Sequence, residues 1–297
     1  MPSSPSFARR GRALQPGQVS ELTIINVDGT GRQVIFTANE IIEAPNWTID
    51  GKWLIFNAGG ELYRISPDGS DGPTKIDTGH LADLNNDHVL SNDGKTIYVS
   101  SDDTHLYAVP IEGGTPKKVS NSHAEFHQYY LHGISPDDST LVYTCAQKHG
   151  DGKKYNIWAL TLGGADVMLT DGTVTSDGPE HSRDGKWLWV NTELFSPGHA
   201  QIAKMRPDGS EFTQVTFDER VNWFPHFSPD GQSIVYLSYP PGTVGHPPDK
   251  DVILRFMKPD GTGIRDIVAF NGGQGTINVN SWAPDNKRFG YVAYPIR

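Results

Sequence analysis

A tight turn centred on an aspartate recurs six times along the chain, and this repeat constrains the fold more than any other feature. The turns are centred on Asp50, Asp93, Asp137, Asp184, Asp230 and Asp285. Their successive spacings are 43, 44, 47, 46 and 55 residues. Glycine follows the aspartate in four of the six turns, and glycine adopts the positive φ of a tight turn most easily. Each turn precedes an alternating run of β-branched and aromatic residues, which predicts a strand leaving a hairpin.

A second kind of hairpin lies between these turns: a strand, a turn that contains glycine, and a short outer strand. Examples are RISPDG at residues 64–69 and KMRPDG at residues 204–209. Six inner and six outer hairpins make six four-stranded units with a period near 45 residues, which is typical of a β-propeller. The 32 glycines and 21 prolines also leave little room for long helices. We therefore predict an all-β fold, a six-bladed β-propeller with four antiparallel strands per blade. The alternative is a sandwich of hairpins, which has no reason to keep a fixed four-strand period.

The order of the hairpins predicts how the ring closes. The chain opens with an outer hairpin at residues 21–38 that has no inner hairpin before it. It ends with an inner hairpin at residues 277–294 that has no outer hairpin after it. We expect the N-terminal outer strands to join the C-terminal inner hairpin in one blade, which removes the free sheet edges of an open ring. The predicted organisation is a disordered tail at residues 1–17 and a single propeller domain at residues 18–297.

Charge and composition exclude several classes of function. The chain has 25 Lys and Arg against 35 Asp and Glu, a net charge of −10, which repels nucleic acid. No run approaches the roughly 18 apolar residues of a membrane span. The first residues lack the apolar core of a signal peptide, so the expected location of the chain as written is cytoplasmic. The single cysteine, Cys145, excludes an internal disulfide and a multi-cysteine metal site.

The turn sequences resemble those of a known family. SPDG at residues 228–231 and SPDD at residues 135–138, together with the two strand–turn units quoted above, resemble the WD40-like repeat of TolB-like six-bladed propellers. The resemblance covers about residues 20–297 and is specific for the fold. It implies little about function, because propellers host binding modules and several kinds of enzyme. The sequence departs from TolB proper, which resembles a periplasmic protein with a separate α/β domain and a signal peptide.

A polar position recurs near the end of every inner strand, four or five residues before the turn aspartate. These positions are expected to surround the central channel and form a candidate ligand site of Asn46, His88, His132, Glu180, His226 and Asn280. Imidazoles suit a divalent transition metal, so His88, His132 and His226 are the candidate metal ligands. Polar groups also line a water-filled channel simply to hydrogen-bond water, and this alternative stays open.

Three further segments are expected beside the mouth of the channel. Residues 145–155 and 239–251 form long loops that we predict to lie on the same face as the imidazoles. Residues 121–132 add three histidines and two tyrosines, and the tyrosines could stack on a sugar ring.

Two functions from different classes are compatible with these features. The first is a binding module that holds a small polar molecule, a carbohydrate or a peptide segment of a partner at the channel mouth. The second is a metal-dependent carbohydrate-active enzyme, because oligogalacturonate lyases resemble this architecture and have a histidine-coordinated metal in the channel. That resemblance implies β-elimination on uronate sugars, with roles for His132, Glu180 and His226. An acidic sugar would also need cations, for which the framing loops offer Lys148, Lys153, Lys154 and Lys250. No catalytic residue is identified by a motif.

Overall fold

A computed structural model describes residues 12–297, which form strands, turns and irregular connections with no helix among them. Within this range the chain forms 23 strands. In chain order they are β1 (Ser20–Asn26), β2 (Gln33–Ala38), β3 (Ile42–Trp47), β4 (Leu54–Ala58), β5 (Glu61–Ile65), β6 (Thr74–Lys75), β7 (Leu84–Leu90), β8 (Thr96–Ser101), β9 (His105–Pro110), β10 (Lys117–Lys118), β11 (His127–Ile134), β12 (Thr140–His149), β13 (Gly152–Thr161), β14 (Asp166–Met168), β15 (Ser176–His181), β16 (Leu188–Thr192), β17 (Gln201–Met205), β18 (Thr213–Gln214), β19 (Val221–Phe227), β20 (Ile234–Tyr239), β21 (Lys250–Met257), β22 (Arg265–Gly272) and β23 (Arg288–Ala293).

These strands form the six antiparallel blades of a propeller, which confirms the predicted fold. Blades 1 to 5 are β3–β6, β7–β10, β11–β14, β15–β18 and β19–β22, each built from four consecutive strands. The first strand of each blade is innermost, and neighbouring innermost strands contact one another along the ring. Each aspartate turn of the repeat joins an innermost strand to the second strand of its blade, so the six turns share one face of the ring.

The sixth blade joins the two ends of the propeller, as the hairpin order predicts. Strand β1 pairs with β2 on one side and with β23 on the other, where Leu22 lies opposite Val292. The innermost segment of this blade is irregular, because its described contacts with β23 include an isolated bridge between Trp282 and Phe289 and the hydrogen bond from Val292 N to Thr276 O.

The apolar core lies between the blades. One buried cluster combines Ile55 and Leu62 of blade 1 with Leu90, Ile97 and Val99 of blade 2. Other clusters join blade 2 to blade 3, and the closing blade to blade 1. Because each blade buries its apolar faces against its neighbours, the ring is stabilised as a unit.

A β-bulge interrupts every regular innermost strand just before the predicted channel position. The register shifts lie between Glu43 and Asn46, Leu84 and His88, Leu131 and Gly133, Asp177 and Glu180, and Trp223 and His226. Positive φ accompanies three of them, at Ala44 (53°), Gly178 (61°) and Phe224 (54°). A bulge re-aims side chains, and in β15 residues on both sides of it, Asp177 and Glu180, line the two channel cavities.

The N-terminal segment before β1 is described from residue 12 onward. The Arg12 guanidinium donates to Gln274 O at 2.6 Å and to Asp249 Oδ1 at 3.2 Å, and it lies over the Tyr294 ring. This part of the predicted tail therefore packs against the propeller, whereas residues 1–11 of that tail lie outside the described residues. None of the described segments forms a helix with the length and apolar character needed to cross a bilayer.

Candidate functional site

The central channel carries two cavities, and His132 lines both of them. The turn-face cavity, about 420 Å³ in volume, lies beside the aspartate turns, with Thr48, Ser91 and Arg183 in its wall. The loop-face cavity, about 440 Å³, lies on the opposite side of His132 beside Val244 and His246. Both volumes are in the range of small-molecule sites.

The predicted ring residues lie mainly at the turn-face cavity. Asn46, His132, Glu180 and Asn280 line it, whereas His88 and His226 line neither cavity. The innermost strands run toward the aspartate turns, so positions four or five residues before a turn lie near the turn face. The structure therefore separates most of the predicted ring from the 239–251 loop, which contributes to the loop-face cavity.

Glu180, His226 and Asn280 form a hydrogen-bonded network across three blades. Glu180 Oε2 lies 2.7 Å from His226 Nδ1, and Glu180 Oε1 accepts from Asn280 Nδ2 at 2.8 Å. His226 Nε2 lies 2.8 Å from Ile277 O. Burial by itself raises the pKa of Glu180, but the bond to His226 outweighs it and lowers the pKa. Because Glu180 forms hydrogen bonds with both His226 and Asn280, the network connects the inner segments of blades 4, 5 and 6.

His88 differs from the other ring histidines. It is fully buried, and neither ring nitrogen has a hydrogen-bond partner among the described residues. Burial lowers the pKa of His88 to about 4, so its imidazole is neutral at neutral pH. Its backbone carbonyl lies 3.5 Å from Asn46 Nδ2.

The structure does not assemble His88, His132 and His226 into one set of ligand atoms. Within residues 12–297, the group whose ligand atoms all lie within 4.8 Å of one another is His123, His127 and Asp166, in blade 3. Both nitrogens of His226 already face oxygen acceptors. Metal binding by the three channel histidines stays a prediction.

The loop-face cavity contains most of the titratable groups that the sequence analysis missed. Its carboxylates and imidazoles are Asp87, Asp177, Glu193, His132 and His246. None of the lysines or arginines in the described range lines it. A signal for two of these groups was present in the sequence, because Asp87 directly precedes His88 and His246 lies in the long 239–251 loop.

Asp177 connects two imidazoles in this cavity. Its Oδ1 lies 3.2 Å from His132 Nε2, and its Oδ2 lies 3.6 Å from His246 Nε2. Burial alone would raise the pKa of Asp177, but the two histidines hold it well below its usual range. Burial by itself lowers the pKa of His132, but Asp87 and Asp177 outweigh it and raise the pKa to about 9. Asp177 and His132 therefore form a buried ion pair at neutral pH.

Asp87 has the opposite shift. Burial raises the pKa of Asp87 to about 6, because the nearby His132 offsets only part of the desolvation. Its Oδ1 has no hydrogen-bond partner among the described residues. The cavity thus contains two carboxyl groups with pKa values shifted in opposite directions, an arrangement that is common at functional sites.

Aromatic rings form the rest of the wall. They are Tyr130, Tyr155, Trp223 and Phe224. The His246 ring packs against two of these rings, with its centroid 4.5 Å from that of Trp223 and 5.3 Å from that of Phe224. Gln274 Oε1 lies 2.5 Å from His246 Nδ1 and fixes the ring from its other side.

The two predicted framing segments both reach this cavity. Residues 239–251 connect β20 to β21 and contribute Val244, Gly245 and His246. Residues 145–155 are a regular hairpin rather than a loop, because β12 and β13 stay paired out to His149 and Gly152. Tyr155 in this hairpin lines the cavity, so the two segments share a face with each other and with His132. They do not share a cavity with His88 or His226, which were predicted to lie beside them.

Comparisons with known proteins agree with this architecture. The chain is 36% identical over 281 residues to the uncharacterized protein Atu1656 of Agrobacterium fabrum, covering 93% of this chain and 92% of that protein. A solved structure from Agrobacterium tumefaciens, described as a candidate TolB, matches with a TM-score of 0.84 and 34% identity over 96% of this chain and 99% of that one. TolB from Acinetobacter baumannii matches with a TM-score of 0.64 and 18% identity over 87% of this chain and 65% of that one. No protein-family model matches the chain.

The architectural resemblance to oligogalacturonate lyases is also confirmed, at the level of the fold alone. An oligogalacturonate lyase in complex with manganese matches with a TM-score of 0.56 and 14% identity, over 89% of this chain and 75% of that one. Similarity this distant shows a shared propeller and does not transfer an activity.

Proposed function

The chain belongs to the TolB-like family of six-bladed β-propellers, and on this premise we propose that it is a binding module whose loop-face cavity holds a small molecule rich in hydrogen-bond donors. Neutral carbohydrates and amines share this chemistry. The observation that supports the proposal is a single one: the cavity combines three carboxyl groups and aromatic walls with no lining lysine or arginine in the described range.

The carboxyl groups favour a ligand that donates hydrogen bonds. An ionised carboxylate is an acceptor only, and Asp87 Oδ1 has no hydrogen-bond partner within residues 12–297. A buried acceptor without a partner is costly, so a ligand hydroxyl or ammonium group that satisfies it binds favourably. Asp177 is held by His132 and His246, so Asp87 is the carboxylate best placed to receive such a donor.

The aromatic walls favour a ligand with an apolar face or a positive charge. Tyr130, Tyr155 and Trp223 present ring surface to the cavity. Aromatic side chains pack on the apolar faces of ligands and attract cations through their ring quadrupole. Sugars have the first property and amines have the second.

The same cavity disfavours acidic ligands such as uronates. Glu193 and the charge of Asp177 repel a carboxylate, and His132 is already paired with Asp177. Lys148, Lys153, Lys154 and Lys250 do not line either cavity. We therefore favour the binding module over the lyase. A partner's peptide segment fits the same chemistry only where it presents a lysine or an amino terminus.

Isothermal titration calorimetry on the purified chain tests the proposal. The panel contains neutral mono- and disaccharides, amines, a lysine-containing peptide and galacturonates. We expect binding by a neutral sugar or an amine, and a loss of at least about tenfold in affinity in Asp87→Asn and Glu193→Gln, since each removes a charged acceptor.

Two matched variants separate this site from other effects. Glu112→Gln removes a carboxylate from an exposed ion pair with Arg64, outside both cavities. Ile49→Ala alters the wall of the turn-face cavity. Both are expected to bind as the unaltered chain does. Binding of galacturonates alone, or binding lost only in Ile49→Ala, would contradict the proposal.

A further inference from the structure

A cluster of two histidines and an aspartate lies in blade 3, apart from both channel cavities. His127 begins β11 and Asp166 begins β14. His123 lies in the connection from β10 of blade 2 to β11 of blade 3, and none of the three lines either cavity. The cluster therefore joins this connection to the inner and outer strands of blade 3.

The ligand atoms of the cluster are already close together. One nitrogen from each imidazole and one oxygen of Asp166 lie within 4.8 Å of one another. His123 Nε2 is 3.4 Å from Asp166 Oδ2. Two ligands bound to zinc at about 2.0–2.1 Å in tetrahedral geometry are roughly 3.3 Å apart, so His123 and Asp166 are already at a ligand spacing. The His127 ring must rotate out of its parallel stack with His123 before its nitrogen can reach the same ion.

Neighbouring polar groups hold the carboxylate in place. Asn121 Nδ2 donates to Asp166 Oδ2 at 2.6 Å, and the Tyr143 hydroxyl donates to Oδ1 at 2.7 Å. Hydrogen bonds of this kind orient ligating carboxylates at metal sites. The Asp166 side chain is 3% exposed, so its charge is buried opposite the two imidazoles.

The histidines are arranged as one buried and one accessible ligand. Their rings stack with centroids 3.6 Å apart, and the His123 side chain is 25% exposed while His127 is buried. Without a metal, His123 Nε2 contacts the Tyr129 hydroxyl at 2.8 Å and His127 Nε2 contacts the Tyr143 hydroxyl at 2.9 Å. A metal ion would replace these two contacts, and it would enter from the side of His123.

We propose that His123, His127 and Asp166 bind a divalent transition-metal ion of the zinc class. Two imidazole nitrogens and one carboxylate oxygen are a donor set that zinc accepts, and three protein ligands leave a fourth position for water. Bound metal would link His123, in the connection between blades 2 and 3, to Asp166 in the outer strand of blade 3. The site is separate from the loop-face cavity, so the test of metal binding does not depend on the outcome of the test of the proposed binding function.

The test is a calorimetric titration of Zn²⁺ alone into the full chain after treatment with a chelator. We expect one equivalent to bind, and the affinity to fall at least about tenfold in His123→Gln and in Asp166→Asn. Asn121→Ala removes a group that orients Asp166 without being a ligand itself, and we expect it to weaken binding about tenfold. Circular dichroism of each variant shows whether the propeller is intact.

Two other histidine variants decide where the metal binds. His149→Gln changes an exposed histidine at the tip of the β12–β13 hairpin, and His132→Gln changes a channel histidine. Both are expected to retain full zinc affinity. Three outcomes would each overturn the proposal. They are absence of stoichiometric zinc binding, an affinity in Asp166→Asn equal to that of the unaltered chain, and loss of binding in His132→Gln but not in His123→Gln. In the first two cases the cluster is a hydrogen-bond network only.

Discussion

Glu180 of blade 4 and His226 of blade 5 are paired across a blade boundary, with Glu180 Oε2 2.7 Å from His226 Nδ1. Both side chains are nearly fully buried. Glu180 Oε1 also accepts from the Phe227 backbone N–H at 2.9 Å. The two residues thus connect consecutive inner strands through hydrogen bonds between buried side chains.

Removing one partner of this pair should destabilise the whole ring. In His226→Ala the Glu180 carboxylate stays buried without its imidazole, and breaking a buried pair in this way costs about 3–5 kcal/mol. Urea unfolding followed by tryptophan fluorescence measures the change. His149→Ala, at an exposed hairpin tip, is the control and should change stability by less than about 0.5 kcal/mol. Equal midpoints for the two variants would show that the pair contributes nothing.

Asp87 should make stability depend on pH between about 4 and 7. Its folded pKa of about 6 lies above the ordinary value near 3.9, so ionisation of Asp87 weakens the folded state as pH rises through this range. Asp87→Asn removes that penalty. Relative to the unaltered chain, the variant should gain about 1–2 kcal/mol between pH 4 and pH 7. The full shift corresponds to nearly 3 kcal/mol, and part of it is already present at pH 4 because the carboxyl of the unfolded chain is about half ionised there.

Urea unfolding at several pH values measures this difference. The Glu112→Gln variant, which changes an exposed carboxylate, provides the matched baseline. A difference between Asp87→Asn and the unaltered chain that stays constant from pH 4 to pH 7 would mean that Asp87 ionises without a penalty in the folded protein.

A disulfide across the closing blade should stabilise the ring. Asn26 of β1 lies opposite Arg288 of β23. The next pair along the strands, Val27 and Lys287, is hydrogen-bonded through Val27 N and Lys287 O, so Asn26 and Arg288 form a non-hydrogen-bonded pair. The Cα atoms of such pairs are about 4.5 Å apart, which permits a disulfide. In Asn26→Cys/Arg288→Cys the oxidised form should be more stable than the reduced form, by up to about 5 kcal/mol because the crosslink closes almost the entire chain.

Thermal melting with and without reductant measures this effect, and the native Cys145 is buried and does not compete. The single variant Asn26→Cys serves as the control and should melt alike under both conditions. Failure of the double variant to oxidise would contradict the observed pairing of β1 with β23.

His246 should affect ligand binding more than stability. Its side chain is 29% exposed, and it contributes a ring and an imidazole to the cavity from the 239–251 loop. We expect His246→Ala to lower affinity for the sugar or amine that binds by at least about tenfold, while stability changes by about 1 kcal/mol or less. Pro241→Ala alters an exposed residue of the same loop that lines neither cavity, and it is the control. If the two variants bind alike, His246 does not contact the ligand.

The fold was predictable from the sequence because the chemistry of its turns is local. The Asp50 turn and its five equivalents mark each inner hairpin, and the unmatched hairpins at residues 21–38 and 277–294 predicted the closing blade. Both signals depend on residues adjacent in the chain, which a sequence displays directly. The irregular pairing of the inner segment around Trp282 was not predicted: the Asp285 turn marks its hairpin, but the Trp282 side chain bonds the distant His226 carbonyl.

The site was predictable only in part. The six ring residues come from two adjacent strand positions, and adjacent side chains on a strand point to opposite faces, so the six do not share one direction. His88 and His226 line neither cavity. Alternation alone does not explain this, because His132 has the same position relative to its turn as His88, and Glu180 the same as His226. The bulges before Glu180 and His88 bring Asp177 and Asp87 into the channel. Pro179 is a sequence signal for the first bulge, as Pro45 and Pro225 are for two others, but no proline or glycine marks the one at His88.

The pairing of β1 with β23 also determines the order in which the propeller can be completed during synthesis. Blades 1 to 5 are each built from consecutive strands, so all four strands of each blade become available for pairing before the next blade is made. Strand β1 is synthesised before these five blades, yet one of its two pairing partners is β23, the last strand in chain order. Until β23 emerges, β1 has an unpaired edge of the kind on which other chains can pair. The nascent protein is therefore most vulnerable to aggregation in the interval between completion of blade 5 and release of β23.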